Sequence, residues 1–176
     1  MKKYKILCTG NPNDFTIARA VKSVFPDADF ASRATGYDLR MWDPKDEEHF
    51  RNQIVNYDVF INSAFICSGG QQRLLEITHS VWKQGHVFNI GSTAEYQGRK
   101  SYNPLYSVQK RALRDLSQSL ASKTFRTTHM TIGGLNDGKP EHSMWMEPIH
   151  VATAIKWILE SKVHVPIIGL EHADDL

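Results

Sequence analysis

The segment Lys5-Ile6-Leu7-Cys8-Thr9-Gly10 is a short apolar run that ends in a threonine and a glycine. A polar loop follows, and Thr16-Ile17-Ala18 then opens an amphipathic stretch that reaches Phe25. A short run that is apolar on both faces is typical of a buried parallel strand. The segment therefore predicts a strand, a loop and a helix in that order.

The same alternation continues along the chain. Short apolar runs predict six strands, at Lys5 to Thr9, Ala28 to Ser32, Tyr57 to Ser63, His86 to Ile90, Thr127 to Ile132 and Val165 to Ile168. Amphipathic segments predict five helices, at Thr16 to Phe25, Asp46 to Asn56, Gln71 to Lys83, Pro104 to Ser122 and Pro148 to Ser161. Alternating strands and helices imply a parallel sheet covered on both faces. We expect an α/β fold with a single doubly wound parallel sheet in three α/β/α layers, formed as one domain by residues 1–176.

Composition and charge exclude several classes of protein. The net charge is +2 and the basic residues are scattered, so we expect no nucleic-acid partner. No apolar run approaches the roughly 20 residues that span a bilayer. The N-terminus also lacks the apolar stretch of a signal peptide. We therefore expect a soluble, cytoplasmic protein with no membrane partner, in which Cys8 and Cys67 are reduced thiols.

Tyr106 and Lys110 lie four residues apart in a predicted helix, so they share one face of it. A free tyrosine has a pKa near ~10, and a nearby cation lowers that pKa by stabilising the phenolate. Ser92 follows the predicted strand that ends at Ile90, where its hydroxyl can hydrogen-bond an oxygen on which negative charge develops. The alternative interpretation is a solvated lysine beside a half-buried tyrosine, because this spacing also occurs by chance.

The segments Phe88-Asn89-Ile90-Gly91-Ser92 and Tyr106-Ser107-Val108-Gln109-Lys110 together resemble the short-chain dehydrogenase/reductase family, which has a Rossmann fold. The resemblance implies an NAD(P)-dependent oxidoreductase that transfers hydride between the nicotinamide and a small carbonyl or alcohol substrate. In that family Ser92 would polarise the carbonyl, Tyr106 would exchange the proton as acid and base, and Lys110 would lower the tyrosine pKa and hold the nicotinamide ribose. The resemblance also implies a homodimer or homotetramer, and no metal site. The chain is much shorter than typical members.

A second resemblance to this family lies in Asp58-Val59-Phe60-Ile61-Asn62-Ser63-Ala64, which implies that Asn62, Ser63 and Ala64 line the cofactor. Phe65 stands where the family usually has glycine. Asp38 and Leu39 resemble a pair that holds the adenine, and a surface turn is the alternative there. The family's additional catalytic asparagine has no match between Gly69 and Lys83.

The loop after the first strand departs from the usual glycine pattern, because Asp14 and Thr16 occupy positions where glycines would let the backbone approach a pyrophosphate. The segment Thr9 to Ala18 instead resembles the loop of divergent enoyl-acyl-carrier-protein reductases. This implies that Gly10, Asn11, Thr16 and Ile17 contact the cofactor, with Thr16 sharing the phosphate at the helix N-terminus. A helix N-cap is the alternative for Thr16.

The second strand ends in Ser32-Arg33, which suits the 2′-phosphate of NADP better than the ribose hydroxyls of NAD. We therefore predict NADP as the favoured cofactor, with NAD as the alternative and Asp29 as the residue that would support it.

Residues 133–147 are unusually apolar for a loop, which predicts a lid, a subunit contact or a loop folded onto its own core. Two other functions remain open. One is a non-catalytic dinucleotide-binding or regulatory protein. The other is a nucleotide-sugar epimerase or dehydratase, which normally needs a larger C-terminal domain.

Overall fold

The computed structural model describes residues 3–40, 43–66, 68–96, 103–161 and 163–172. The strands are β1 (Ile6–Thr9), β2 (Asp29–Ala31), β3 (Val59–Asn62), β4 (Gly85–Ile90), β5 (Phe125–Ile132) and β6 (Ile167–Leu170). The helices are α1 (Ile17–Val24), α2 (Pro44–Ile54), α3 (Gly70–Val81), α4 (Pro104–Leu120) and α5 (Pro148–Glu160). Short 3-10 turns occupy Arg33–Thr35, Thr93–Glu95 and Pro140–His142.

The six strands form one sheet in the order β2-β1-β3-β4-β5-β6, and every neighbouring pair is parallel. The chain adds β2 on one side of β1 and then crosses to add β3 on the other side. The strand order therefore reverses at β1, where an open α/β sheet forms a crevice at the carboxyl ends of its strands. The predicted fold class is confirmed.

The apolar residues of each strand alternate between two cores. Ile6 and Cys8 of β1 pack in the core that contains α1 and α5, whereas Leu7 packs in the core that contains α2, α3 and α4. This is the period of two that a strand buried on both faces requires. Helices therefore cover both faces of the sheet, as the sequence predicts.

Element ends differ from the predictions by up to two residues, for local reasons. The α2 helix begins at Pro44 instead of Asp46, because the Asp43 carboxylate accepts a hydrogen bond from Lys45 N at 2.9 Å and Pro44 suits the first helical position. The β6 strand begins after Pro166 instead of at Val165, since proline has no N–H for a sheet ladder.

No helix among the described residues is long and apolar enough to cross a membrane. Cys8 is a buried free thiol, and burial raises the pKa of that thiol well above its ordinary value. Cys67 lies outside the described residues.

Candidate active site

The crevice at the carboxyl ends of β1 and β3 is built around Thr9. Its buried Oγ1 accepts hydrogen bonds from Ser63 N at 2.8 Å and Ala64 N at 2.9 Å, which fixes the turn after β3 beside the loop after β1. Gly10 has φ +125°, and a Cβ there would lie 3.0 Å from the Cβ of Ala18 in α1. Glycine therefore permits both the turn and the close approach of loop and helix.

Two adjoining clefts open at this edge of the sheet. The loop cleft, of about 320 Å³, is lined mainly by the segment after β1, including Gly10, Asn11, Asp14, Thr16 and Ile17, together with Ser63, Ala64 and residues 135–137. The tyrosine cleft, of about 610 Å³, is lined by Ser92, Tyr106 and Lys110 among others. Ile17, Ser63, Phe65 and Leu135 border both clefts. A separate cavity of about 510 Å³ at the amino-terminal edge of the sheet contains none of the predicted site residues.

The structure brings the three predicted catalytic residues to one cleft. Ser92 follows β4 in an extended conformation, and its Oγ accepts a hydrogen bond from Ala94 N at 3.3 Å. Tyr106 lies in the first turn of α4, and the Nζ of Lys110 is 5.5 Å from its ring centroid. The Phe65 ring packs edge-on against Tyr106, with 4.9 Å between the ring centroids.

Lys110 is held in the interior by two neutral oxygens. Its Nζ donates to Gln71 Oε1 and to the Ile90 carbonyl, both at 2.7 Å. Burial lowers the pKa of Lys110 to about 8, and the negative charge of Glu95 acts in the opposite direction. The ammonium is therefore charged at neutral pH and loses its proton in the mildly alkaline range.

A buried carboxylate and imidazole lie directly beside the Ser92 segment. Glu95 and His129 are both fully buried, with 3.0 Å between Glu95 Oε2 and His129 Nε2. Thr131 Oγ1 donates to Glu95 Oε1 at 2.5 Å. Burial opposes the charge on Glu95, but the bonds from His129 and Thr131 hold the pKa of Glu95 below its usual value. This pair could not be predicted from the sequence, because its two members are 34 residues apart.

The loop cleft contains both polar and acidic groups. Thr16 occupies the N-cap position of α1, but its side chain makes no cap hydrogen bond. The Asn11 side chain forms two hydrogen bonds within its own loop. Its Oδ1 accepts a hydrogen bond from Asn13 N and its Nδ2 donates one to Asp14 Oδ1, both at 3.1 Å. Asp137 also lines this cleft. Hydrogen bonds from Lys139 and His142 hold the Asp137 pKa well below its usual value.

Five of the predicted cofactor residues line neither cleft: Ser32, Arg33, Asp38, Leu39 and Asn62. Ser32 and Arg33 are at the tip of β2, and Asp38 pairs with Arg40, which lowers the Asp38 pKa to about 2. Leu39 is buried in the core beside α2. Asp29, the residue that would favour NAD, starts β2 and accepts a hydrogen bond from the Tyr57 hydroxyl at 3.0 Å, so it lies at the opposite end of the strand from the crevice.

Asn62 is fully buried, and its side chain joins elements instead of lining a cleft. Its Nδ2 donates to the Gln71 carbonyl at 2.8 Å and to Asn89 Oδ1 at 2.9 Å. Ser63 and Ala64, the next two residues, do line the loop cleft.

Residues 133–147 form a loop that contributes lining residues to both clefts. Met146 is buried and its N–H donates to the Gly134 carbonyl at 3.1 Å, while Asn136 N donates to the Met146 carbonyl at 3.0 Å. The Trp145 ring stacks on His142, with 3.8 Å between the ring centroids, and Trp145 lines the tyrosine cleft. The segment is therefore anchored by the buried Met146 and contributes lining residues to both clefts.

No protein-family model matches the sequence, and no curated protein matches it significantly. The fold is similar to that of many solved structures. A serine dehydrogenase from Escherichia coli has a TM-score of 0.71 and 17% sequence identity over 94% of this chain and 95% of that chain. A 3-alpha-hydroxysteroid dehydrogenase from Pseudomonas sp. B-0831, solved with NADH, has a TM-score of 0.69 and 15% identity over 97% of each chain. A blue fluorescent protein from a metagenomic library, solved with NADPH, has a TM-score of 0.71 and 16% identity over 96% of each chain.

Solved structures described as short-chain dehydrogenases or reductases match almost the whole of this chain. At these identities the likeness shows the fold. The chain therefore has the fold of the short-chain dehydrogenases/reductases.

Proposed function

We propose that this protein is an NAD(P)-dependent oxidoreductase that exchanges hydride between a nicotinamide and a small carbonyl or alcohol substrate. The observation that carries the proposal is the convergence of Ser92, Tyr106 and Lys110 on one cleft that adjoins the crevice after β1. A hydroxyl, a phenol and a buried ammonium around one space are the groups that carbonyl reduction needs.

In this proposal Tyr106 is the proton donor and acceptor. The Lys110 ammonium, 5.5 Å from the phenol ring centroid, would stabilise the negative charge that forms when Tyr106 gives up its proton. Burial of Lys110 strengthens this effect, because fewer water molecules screen the charge. The Ser92 hydroxyl donates a hydrogen bond to the carbonyl oxygen as negative charge develops on it. When bound, the nicotinamide supplies or accepts the hydride. In the reducing direction Tyr106 would give its phenolic proton to the substrate oxygen.

The loop cleft would hold the dinucleotide. Gly10, Asn11, Thr16 and Ile17 lie where the N-terminus of α1 favours an anion, and the Thr16 hydroxyl is not used as a cap. The absent Cβ of Gly10 keeps the loop close to α1. Ser63 and Ala64 complete the wall beside Ile17, and we assign Asn62 a supporting role behind them. Asp38 and Leu39 remain our assignment for the adenine end.

NADP is the cofactor that we favour. Ser32 and Arg33 end β2 without an acid, and an arginine pairs well with a phosphate. The position of Asp29, at the other end of β2, supports this choice, since an acid that selects NAD must lie at the strand tip.

The test first measures the binding of NADPH and NADH through the change in tryptophan fluorescence. It continues with a screen of carbonyl compounds for NADPH oxidation. Tyr106→Phe should keep the fold and the cofactor affinity but lose turnover by roughly 10²–10⁴-fold. Ser92→Ala should reduce turnover more than affinity, and Lys110→Ala should reduce both. Tyr57→Phe is the matched control, because its hydroxyl bonds Asp29 at the far edge of the sheet. Full turnover by Tyr106→Phe on a genuine substrate refutes the mechanism.

A non-catalytic dinucleotide-binding protein is the second candidate. The observation that favours it is the acidic lining of the loop cleft, where Asp14 and Asp137 stand near the proposed phosphate position. Tight NADPH binding without turnover in a broad screen would favour this candidate.

A further inference from the structure

Gln71 is a buried amide in the first turn of α3, and its orientation is fixed by its hydrogen bonds. Its Nε2 donates to the Asn62 carbonyl at 2.8 Å and to the Ile90 carbonyl at 3.2 Å. An amide whose nitrogen faces two carbonyls must direct its oxygen elsewhere. That oxygen accepts the hydrogen bond from Lys110 Nζ at 2.7 Å.

A chain of buried amides supports Gln71 from behind. Asn62 Nδ2 donates both to the Gln71 carbonyl at 2.8 Å and to Asn89 Oδ1 at 2.9 Å. Asn89 Nδ2 donates to Ser117 Oγ of α4 at 3.1 Å. The network thus begins at Lys110 and returns to the same helix at Ser117. Hydrogen bonds therefore hold both the side chain and the backbone carbonyl of Gln71.

The other groups around the Lys110 ammonium do not hold it directly. Glu95 is the carboxylate whose charge acts on Lys110, but its oxygens are bonded to His129 and Thr131. Phe65 presents its ring with the centroid 5.6 Å from Nζ, and Tyr106 of the same helix presents its ring at 5.5 Å. Among the described residues, the direct acceptors are the Gln71 amide and the Ile90 carbonyl.

We propose that Gln71 is the positioning residue of the catalytic pair, fixing the Lys110 ammonium beside Tyr106 through a direct side-chain hydrogen bond. The role of Lys110 in this inference rests on the proposed function. An ammonium has three N–H groups, and the two bonds to Gln71 and Ile90 leave the third for the cleft. Gln71 therefore sets both the direction of that N–H and the pH range in which Lys110 stays charged.

The decisive experiment measures the protonation of Lys110 itself. Protein labelled with ¹³C at the lysine Cε is titrated by NMR, and loss of one signal in Lys110→Arg assigns the resonance. Gln71→Met removes a hydrogen bond that the charged form of Lys110 makes. The variant should therefore lower the Lys110 midpoint by about one pH unit or more, a tenfold weaker proton affinity. Gln71→Glu keeps an oxygen near Nζ and should give a midpoint equal to or above that of the wild type.

Gln72→Met is the matched control. Gln72 is the next residue of α3 and its Nε2 donates to the Gln109 carbonyl at 2.7 Å, so the substitution removes a contact with α4 without touching Lys110. Its Lys110 midpoint should stay at the wild-type value. The inference is wrong if Lys110 in folded Gln71→Met has the wild-type midpoint. It is also wrong if the Lys110 midpoint shifts equally in the Gln72→Met control. If Gln71→Met does not fold, Gln71→Glu decides, because a midpoint below the wild type contradicts a retained acceptor.

The same variants separate this inference from the proposed function. Gln71→Met should also change how NADPH affinity depends on pH. The fall in affinity at alkaline pH, and the fall in turnover once a substrate is known, should move to lower pH by the shift seen in the Lys110 signal. If the Lys110 midpoint moves in a protein that binds no nicotinamide nucleotide, the proposed oxidoreductase function is wrong, whereas the positioning contact between Gln71 and Lys110 is supported. If the Lys110 midpoint does not move in an enzyme whose turnover depends on Tyr106, the inference about Gln71 is wrong, whereas the proposed function is supported.

Discussion

Gly91→Ala tests how tightly Gly91, the residue before Ser92, packs against the buried His129 ring, and the test needs no ligand. A Cβ at position 91 would lie 2.2 Å from His129 Nε2 and 2.7 Å from its Cε1. The same Nε2 faces Glu95 Oε2 at 3.0 Å, so the ring cannot move away without stretching that contact. Gly91 is not among the glycines with positive φ, so an alanine at this position adds no backbone strain of its own.

The expected cost follows from two contributions. Inserting a methyl group into a filled core costs about 1–3 kcal/mol. Separating a buried carboxylate from its partner costs about 3–5 kcal/mol when the separation is complete. Because the ring can shift only partly, we expect Gly91→Ala to lower the free energy of unfolding by about 3 kcal/mol, which corresponds to a fall in Tm of roughly 6–12 °C for a chain of this size.

Urea and thermal unfolding of four proteins measure the effect: the wild type, Gly91→Ala, His129→Ala and the double variant. With the imidazole removed, Gly91→Ala should cost less than about 1 kcal/mol, since the double-mutant cycle then contains no clash. Gly169→Ala is the control, because its Cβ would meet nothing within 4 Å. A cost below 1 kcal/mol in the wild type, or an equal cost in both backgrounds, refutes the reasoning.

Other expectations concern the cofactor. Since Lys110 is charged below a pKa of about 8, NADPH affinity should fall as the pH rises through that value, and Lys110→Arg should remove this dependence; an unchanged wild-type affinity between pH 7 and 9.5 contradicts the ribose assignment. Because Thr16 makes no cap hydrogen bond, Thr16→Ala should weaken NADPH binding in a fluorescence titration while changing the free energy of unfolding by less than about 0.5 kcal/mol, and unchanged affinity removes Thr16 from the site. NADPH should bind at least tenfold more tightly than NADH, about 1.4 kcal/mol, and Arg33→Asp should narrow the gap; equal affinities in both proteins contradict the NADP assignment.

The helices and strands could be predicted from the sequence because each leaves a local pattern. Runs such as Val59-Phe60-Ile61 are apolar on both faces, which indicates a buried strand, and the alternation of strands with helices then determines a parallel sheet. The position of Ser92 after the run that ends at Ile90, and the shared helix face of Tyr106 and Lys110, followed from local patterns. That these residues meet was implied by the family resemblance.

The supporting contacts could not be predicted, because they join elements that are far apart in the chain. Gln71 and Gln72 are identical in type and adjacent, and nothing in the sequence indicates that one reaches Lys110 and the other Gln109. Asn62 fits a cofactor-lining motif, yet its side chain points into the interior because β3 buries it against α3.

The pairing between Leu135 and Met146 closes residues 133–147 at the base. The residues that line the clefts, among them Leu135 and Trp145, lie next to that closure, whereas Met144, at 74% exposure, belongs to the outer part of the loop. His142, in that outer part, stacks on Trp145 and bonds Asp137, so a change of length between Gly138 and Met144 would move residues that line both clefts. A fluorescent label attached to the side chain at position 144 would report on this segment without changing its length.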